Sequence, residues 1–284
     1  MGIRKACGDY CQAPASMNAI AIPRYRTVTE QPGQAASRAQ LEMMAARYSW
    51  ARRFALGRDV LEAACGAGTG LGMLAEVARS VEAGDIDDAN LASARRTYAL
   101  QPKVHVQPLN AMELPFGDAC FDVVLLFEAI YYLHGARAFF EEARRVLRPG
   151  GHLLIATVNR EWKGFNPSPF HTRYLAAAEL REGLEASGFA VELHAGFPER
   201  PSLLSEATGL VRRAAVALHL VPRTMAGKTF LKRMFYGRLE PIPPRLDLRH
   251  GLEERFQPLH GKTDLTRYRV LYAAARKNFA GEIL

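Results

Sequence analysis

The apolar run Asp59-Val60-Leu61-Glu62-Ala63-Ala64 leads straight into Cys65-Gly66-Ala67-Gly68-Thr69-Gly70, and helical spacing begins at Gly70. A strand that turns into a helix through glycines lets the backbone approach a ligand closely, because no side chain stands in the way. The same alternation continues downstream. Apolar runs at Ser80 to Asp85, Val104 to Gln107, Asp122 to Phe127, His152 to Val158 and Phe189 to His194 are separated by helical patterns at Asp88 to Leu100, Ala136 to Leu147 and Ala176 to Ser187, with a Pro149-Gly150-Gly151 turn before His152. Short buried strands alternating with helices form a mostly parallel sheet covered on both faces. The expected fold is therefore α/β, a Rossmann-like seven-stranded mostly parallel sheet with helices on both faces.

Two segments flank this core. Residues 35 to 56 repeat apolar residues at three- and four-residue spacing, as an amphipathic capping helix does. Residues 198 to 265 break the rhythm with Pro198, Pro201, Pro222, Pro241, Pro243, Pro244 and Pro258, and Tyr268 to Ala274 reads as a last strand returning to the sheet. The expected organisation is a leader and cap over 1–56, a core over 57–197, an insertion over 198–265 and a closing strand over 266–284.

At 49% hydrophobic and 23% charged residues the chain is neither a disordered tail nor a fibre. Its longest apolar run, Phe121 to Ile130, contains Asp122 and Glu128 and falls well short of the ~20 residues a bilayer-spanning helix needs. The first residues carry no continuous apolar stretch of the signal-peptide kind. Cys7, Cys11, Cys65 and Cys120 are too scattered for a disulfide scaffold, so the expected location is cytoplasmic. Charge is uneven: residues 1 to 199 hold 21 Lys/Arg against 22 Asp/Glu, a net of −1, whereas residues 200 to 284 hold 16 against 7, a net of +9. A basic region on a neutral body is either a solvated face or a surface for a phosphate-bearing partner.

The glycine loop lacks the third glycine of a dinucleotide fingerprint, that position being Leu71, which argues against a pyrophosphate-containing cofactor. Asp85 ends the second strand nineteen residues after Gly66, where a carboxylate can accept both ribose hydroxyls of an adenosine. Asp87 or Asp88 is the better candidate for the following helix N-cap.

Four ordered blocks resemble the class I S-adenosylmethionine-dependent methyltransferases, in their small-molecule, type 11-like branch. Val60 to Gly70 resembles the family's first motif, Leu109 to Phe116 its adenine-binding segment, Phe121-Asp122-Val123-Val124 its fourth strand, and Arg145 to Gly151 the turn into its fifth. The resemblance implies that Glu62 lies beneath the glycine loop and that the backbone around Ala64, Gly66 and Gly68 holds the methionine part. It further implies that Asp85 binds the ribose, that Ile86 packs on one adenine face, and that Asn110, where the family usually has Asp, meets the adenine amino group with the Ala111 backbone beside it. Asn can still accept through its carbonyl, so weakened rather than lost recognition is expected. Phe127 and Glu128 would border the reactive methyl, and Arg47 or Tyr48 of the cap would contact the cofactor. The implied cofactor is S-adenosylmethionine, with S-adenosylhomocysteine as product, and no metal is expected.

Methyl transfer from a sulfonium is an in-line displacement that a protein assists by alignment and exclusion of water. An oxygen nucleophile also needs a base, and Glu128, His134 and His171 are the candidates, histidine being best suited near neutral pH. The expected partner is a small-molecule acceptor, a sugar, a lipid-linked compound or a secondary metabolite. In the insertion, the apolar set from Leu203 to Leu220 and the cations Arg212, Arg213, Arg223, Lys228, Lys232 and Arg233 read either as a lid helix or as an interfacial helix in peripheral contact with an anionic membrane or phosphate-bearing substrate. The competing function is an RNA-directed methyltransferase or nucleic-acid-binding protein using the basic C-terminal third. Its few aromatics, Phe230, Phe235 and Tyr236, offer little stacking surface, so a nucleic-acid partner is not expected.

Overall fold

A computed structural model of the chain describes residues 28–199, 239–250, 256–260 and 263–279. The helix-like stretch from Leu203 to Leu220, the basic set from Arg212 to Arg233, and Cys7 and Cys11 lie outside the described residues. Among the described residues no helix is long and apolar enough to cross a membrane.

In chain order the elements are β1 (Ala35–Ser37), α1 (Arg38–Ala55), β2 (Asp59–Ala63), α2 (Leu71–Ala75), β3 (Ser80–Asp85), α3 (Asp88–Tyr98), β4 (Val104–Pro108) and β5 (Phe121–Phe127). These are followed by α4 (Ala136–Val146), β6 (Leu147–Val158), α5 (Ala177–Ala186), β7 (Phe189–Pro198), β8 (Leu239–Pro241), β9 (Gln257–Pro258) and β10 (Tyr268–Lys277). The main sheet runs β4-β3-β2-β5-β6-β10-β7-β9. Strands β2 to β6 pair in parallel, and β10 enters antiparallel between β6 and β7. The expected α/β architecture is present, and the sheet has eight strands rather than seven. The extra one, β9, is a two-residue edge pairing with β7 from within the segment expected to be an insertion. Its Pro258 is tolerated because an edge strand need not donate on its outer side.

Strand side chains alternate between two cores, which is why the central strands are mostly apolar, with buried exceptions such as Glu62 and Asp85. On one face Val60, Val123, Leu125 and Leu154 pack with Leu41 and Met44 of α1 and Leu74 of α2. On the other, Leu61, Val124, Leu126 and Ile155 pack with Phe139 and Phe140 of α4 and Leu180 and Leu184 of α5. The cap helix is thus part of one core layer. It starts where the Ser37 hydroxyl accepts from the Gln40 backbone N–H at 3.2 Å, a side-chain cap for a free helix donor. Trp50 ties it to the last strand, its ring 5.2 Å from that of Tyr272 in an edge arrangement.

Strand β6 begins five residues earlier than the expected His152 start, because Leu147 already pairs with Phe121 before the register shifts to Val123↔His152. The Pro149-Gly150-Gly151 turn is absorbed as an irregularity of the strand.

A two-stranded ribbon pairs β1 with β8, Ala36 opposite Glu240. Chain order in the main sheet reverses between β2 and β5, and a sheet of this kind opens a crevice at that switch point beyond the carboxyl ends of its strands.

Candidate functional site

The crevice is a cavity of about 810 Å³, within the size range of small-molecule sites. Its floor comes from the ends of β2, β3 and β5, one wall from α1 and residues 28–30, and another from Val158, Trp162 and Arg269.

At the end of β2 the chain turns sharply. Ala64 and Gly66 take φ values of 58° and 57°, and Gly68 one of 76°. A Cβ on Gly68 would lie 2.9 Å from that of Ala94 in α3, so this glycine permits close packing of loop on helix and is not among the cavity-lining residues. Gly70 is required for a different neighbour: a Cβ there would sit 2.0 Å from the Tyr48 ring. The Gly66 N–H donates to Asp85 Oδ2 at 2.8 Å, joining the ends of β2 and β3.

Asp85 is buried, and its Oδ1 accepts from the Asp87 N–H at 2.8 Å and from Asn90 Nδ2 at 3.3 Å. Burial raises its pKa, while these backbone donors and the Asn90 amide pull the other way. Asp87, not Asp85, caps α3, accepting from Ala89 N–H at 2.9 Å. Fully buried Asn90 passes the network outward through Gln31 Nε2, which donates to Asn90 Oδ1 at 2.7 Å. Residues just before the cap thereby lie against the glycine loop.

Glu62 is 1% exposed, with Oε1 accepting from the Tyr48 hydroxyl at 2.7 Å and Oε2 buried without a partner. Burial pushes its carboxyl up to about 7, against the hydrogen bond from Tyr48 and the Arg47 charge, which favour ionisation. Tyr48 also meets Phe127 edge to face at 5.4 Å.

Ile86, Asn110 and Ala111 line the same end of the cavity. Asn110 Oδ1 accepts from the Met112 N–H at 3.0 Å, which fixes the amide as an Asx turn and leaves its carbonyl one further lone pair. Phe127 and Glu128 stand where β5 ends. Strand register sets Leu126 beside Ala63, which brings Glu128 next to the glycine loop. Glu128 adopts φ 52°, a conformation costly for a residue with a Cβ and concentrated at functional sites. His134 lies on the exposed rim of the cavity. His171 does not line it; its Nδ1 is 2.6 Å from the Ser168 carbonyl oxygen and its ring leans on Tyr174.

The structure therefore brings Tyr48, Glu62, Ala64, Gly66, Asp85, Ile86, Asn110, Ala111, Phe127, Glu128 and His134 around one cavity, and leaves Gly68 and His171 outside its lining. Sequence reasoning missed Glu30, Asn90, Trp162 and Arg269. Glu30, Trp162 and Arg269 line the cavity from segments remote in sequence from the glycine loop, whereas Asn90, five residues after Asp85, supports that carboxylate from behind without lining the cavity. Among the described residues no three His, Cys, Asp or Glu side chains gather as metal ligands would.

Residues 61–155 match the methyltransferase domain family of type 11. A probable S-adenosylmethionine-dependent methyltransferase of Mycolicibacterium smegmatis is 48% identical over 142 residues, covering 48% of this chain and 53% of that protein. An O-methyltransferase of Penicillium expansum is 31% identical over 149 residues, covering 48% and 54%. The chain spans about half the length of the relatives it matches. The crystal structure of the YcgJ protein from Bacillus subtilis superposes with a TM-score of 0.54 at 15% identity, covering 82% of this chain and 99% of that one, a likeness of fold.

Proposed function

We propose that this chain, whose residues 61–155 match the type 11 methyltransferase domain family, is a class I S-adenosylmethionine-dependent methyltransferase that transfers a methyl group to a small-molecule acceptor held in the same cavity. The observation that carries this reading is the continuity of the cavity. Its lining runs without a break from Asp85 and Gly66 past Phe127 to Tyr132, Trp162 and Arg269, so donor and acceptor can share one space.

The residues present fit the donor. Glu62 Oε2 is a buried oxygen without a hydrogen-bond partner, and a cationic amino group is the natural complement for it. In this reading the backbone around Ala64 and Gly66 holds the methionine part, Asp85 accepts from the ribose hydroxyls, and Ile86 with the Asn110-Ala111 segment flanks the adenine. The donor supplies a methyl carbon made electrophilic by a positively charged sulfur. The protein contributes alignment and a dry wall, and Tyr48, Phe127 and Tyr272 form that wall.

The acceptor half is bounded by Met43, Val158, Trp162 and Val270, which suits a largely apolar or aromatic body of the lipid-linked or secondary-metabolite kind, a ring-stacked sugar included. An O-methyltransferase among the relatives agrees with an oxygen acceptor. We place the protein in the cytoplasm, with membrane contact reserved for a lipid-linked acceptor.

Calorimetric titration with S-adenosylmethionine, S-adenosylhomocysteine and NADH tests the donor half directly. Binding of both adenosyl compounds and not NADH is expected. Binding of NADH alone, or of none of the three, would overturn the proposal.

A further inference from the structure

Four polar side chains form a connected set where β5 ends. Arg47 is buried, its Nη2 grips Glu30, and its Nη1 lies 4.0 Å from Glu128 Oε1. The Tyr131 hydroxyl donates to Glu128 Oε2 at 3.1 Å. Tyr131 is itself locked: its ring stacks on Tyr174 at 4.5 Å, and its carbonyl accepts from the Thr172 N–H at 2.7 Å. Glu30, Arg47, Glu128 and Tyr131 all line the cavity.

Resting on the methyl-transfer reading above, we infer that Glu128 takes the proton from a hydroxyl-bearing acceptor, and that Tyr131 and Arg47 are positioning residues that hold its carboxylate toward the acceptor. Three observations carry this. Glu128 is side by side with the glycine loop through the Ala63–Leu126 register, whereas His134 lies six residues further on at the exposed rim. Its side chain is 27% exposed, so it opens onto the cavity and is not sealed in the core. Its backbone is held at φ 52° by the Glu128 N–H donating to Ala156 O at 2.8 Å, so the strained direction of this residue is fixed by the sheet.

The charge balance suits the task. Burial pushes the Glu128 carboxyl up to about 7, opposed by Arg47 and the Tyr131 hydrogen bond and assisted by Glu30. Arg47 shares its charge between two carboxylates, so it does not pin Glu128 in the ionised form. A base that changes state near neutral pH is matched to an alcohol or phenol. An uncharged amine attacks with its own lone pair and has no need of it. In the balanced step the acceptor oxygen forms the new C–O bond, the carbon–sulfur bond breaks with its electron pair staying on sulfur, and the hydroxyl proton passes to a Glu128 oxygen. The positive charge on sulfur is neutralised as the carboxylate is protonated.

The test uses the full chain, wild type and Glu128→Gln, with radiolabelled S-adenosylmethionine, a panel of simple phenols and alcohols, and a matched panel of amines and thiols. Hydroxyl acceptors are expected to turn over. Glu128→Gln should lower kcat by about 100-fold or more with KM and S-adenosylhomocysteine affinity within a few fold, Glu128→Asp should recover part of the loss, and the wild-type rate should rise through an apparent pKa near 7. Turnover by Glu128→Gln within about threefold of wild type, preference for amines or thiols, or a parallel loss of S-adenosylhomocysteine affinity would each overturn the inference. A wild-type protein that binds S-adenosylhomocysteine and methylates neither panel would count against the proposed function itself. Independently of turnover, the infrared difference between wild type and Glu128→Gln should show carboxylate bands growing with a midpoint near 7, and a midpoint in the ordinary carboxylate range would overturn the assignment.

Discussion

The Tyr48 hydroxyl donates to Glu62 Oε1 at 2.7 Å, so the cap helix and the first core strand meet through one buried hydrogen bond at the floor of the cavity. Burial keeps this carboxyl protonated up to about 7, and a ligand carrying an ammonium group favours the ionised form. Binding of S-adenosylhomocysteine at pH 6 is therefore expected to release up to about one proton, seen as a dependence of the calorimetric heat on the buffer's ionisation enthalpy. Glu62→Gln should bind more weakly and release none. Equal heats in all buffers for the wild type would contradict this role.

The same group links stability to pH. Its folded pKa lies above its unfolded one, so between about 4.5 and 7 the unfolded chain has lost a proton that the folded chain keeps, and this contribution to stability falls as pH rises. His152 and His194, whose burial lowers their pKa, act in the opposite sense. The clean observable is thus the difference between Glu62→Gln and wild type. Urea unfolding without ligand should show the variant gaining on the wild type across that window, by an amount of the order of 3 kcal/mol. A difference independent of pH would sink the assignment.

Tyr131 offers a test of direction. Its hydroxyl stabilises the ionised Glu128, so Tyr131→Phe should raise the pKa of Glu128 and move the acid limb of the pH–rate profile to higher pH, with kcat lowered and KM nearly unchanged. A profile that stays in place would show that the hydrogen bond does not act on the base.

Gly70 and Gly135 form a contrasting pair. A Cβ at Gly70 would fall 2.0 Å from the Tyr48 ring, whereas one at Gly135 meets nothing within 4 Å. Gly70→Ala is expected to cost roughly 1–3 kcal/mol in thermal or urea unfolding as the ring is forced aside, and to weaken S-adenosylhomocysteine binding by disturbing the Tyr48–Glu62 contact. Gly135→Ala, at the N-cap of α4, should cost no more than about 1 kcal/mol and leave S-adenosylhomocysteine binding unchanged.

Much of the molecule was legible in the sequence because its signals are periodic and local. The apolar runs expected at β2, β3 and β5 match the strands to within a residue at each end, and β10 runs on to Lys277, since strands buried on both faces are mostly apolar. The glycine loop and Asp85 could be placed because a strand end fixes where the backbone must turn. What escaped was set by pairing at a distance. The edge strand β9 is only two residues long and carries a proline, and the early start of β6 depends on its pairing with Phe121. Asn90 reads as an ordinary polar helix residue, yet it sits wholly buried between Asp85 and Gln31. His171 reads as a loop histidine free to act, yet the fold turns its ring onto Tyr174.

The ribbon of β1 and β8 joins residues 204 positions apart, Ala36 with Glu240, and the segment after it reaches the glycine loop, where the Leu246 N–H donates to Thr69 O at 2.8 Å. Contacts this remote along the chain form slowly, although the entropy of closing so long a loop grows only with the logarithm of its length. During synthesis the parallel strands β2 to β6 can pair long before residue 239 leaves the ribosome, so the roof over the donor end of the cavity is among the last parts to assemble. A nascent chain that has not yet reached residue 239 would then have its β2–β6 floor in place before the contacts to Ala36 and Thr69 can form.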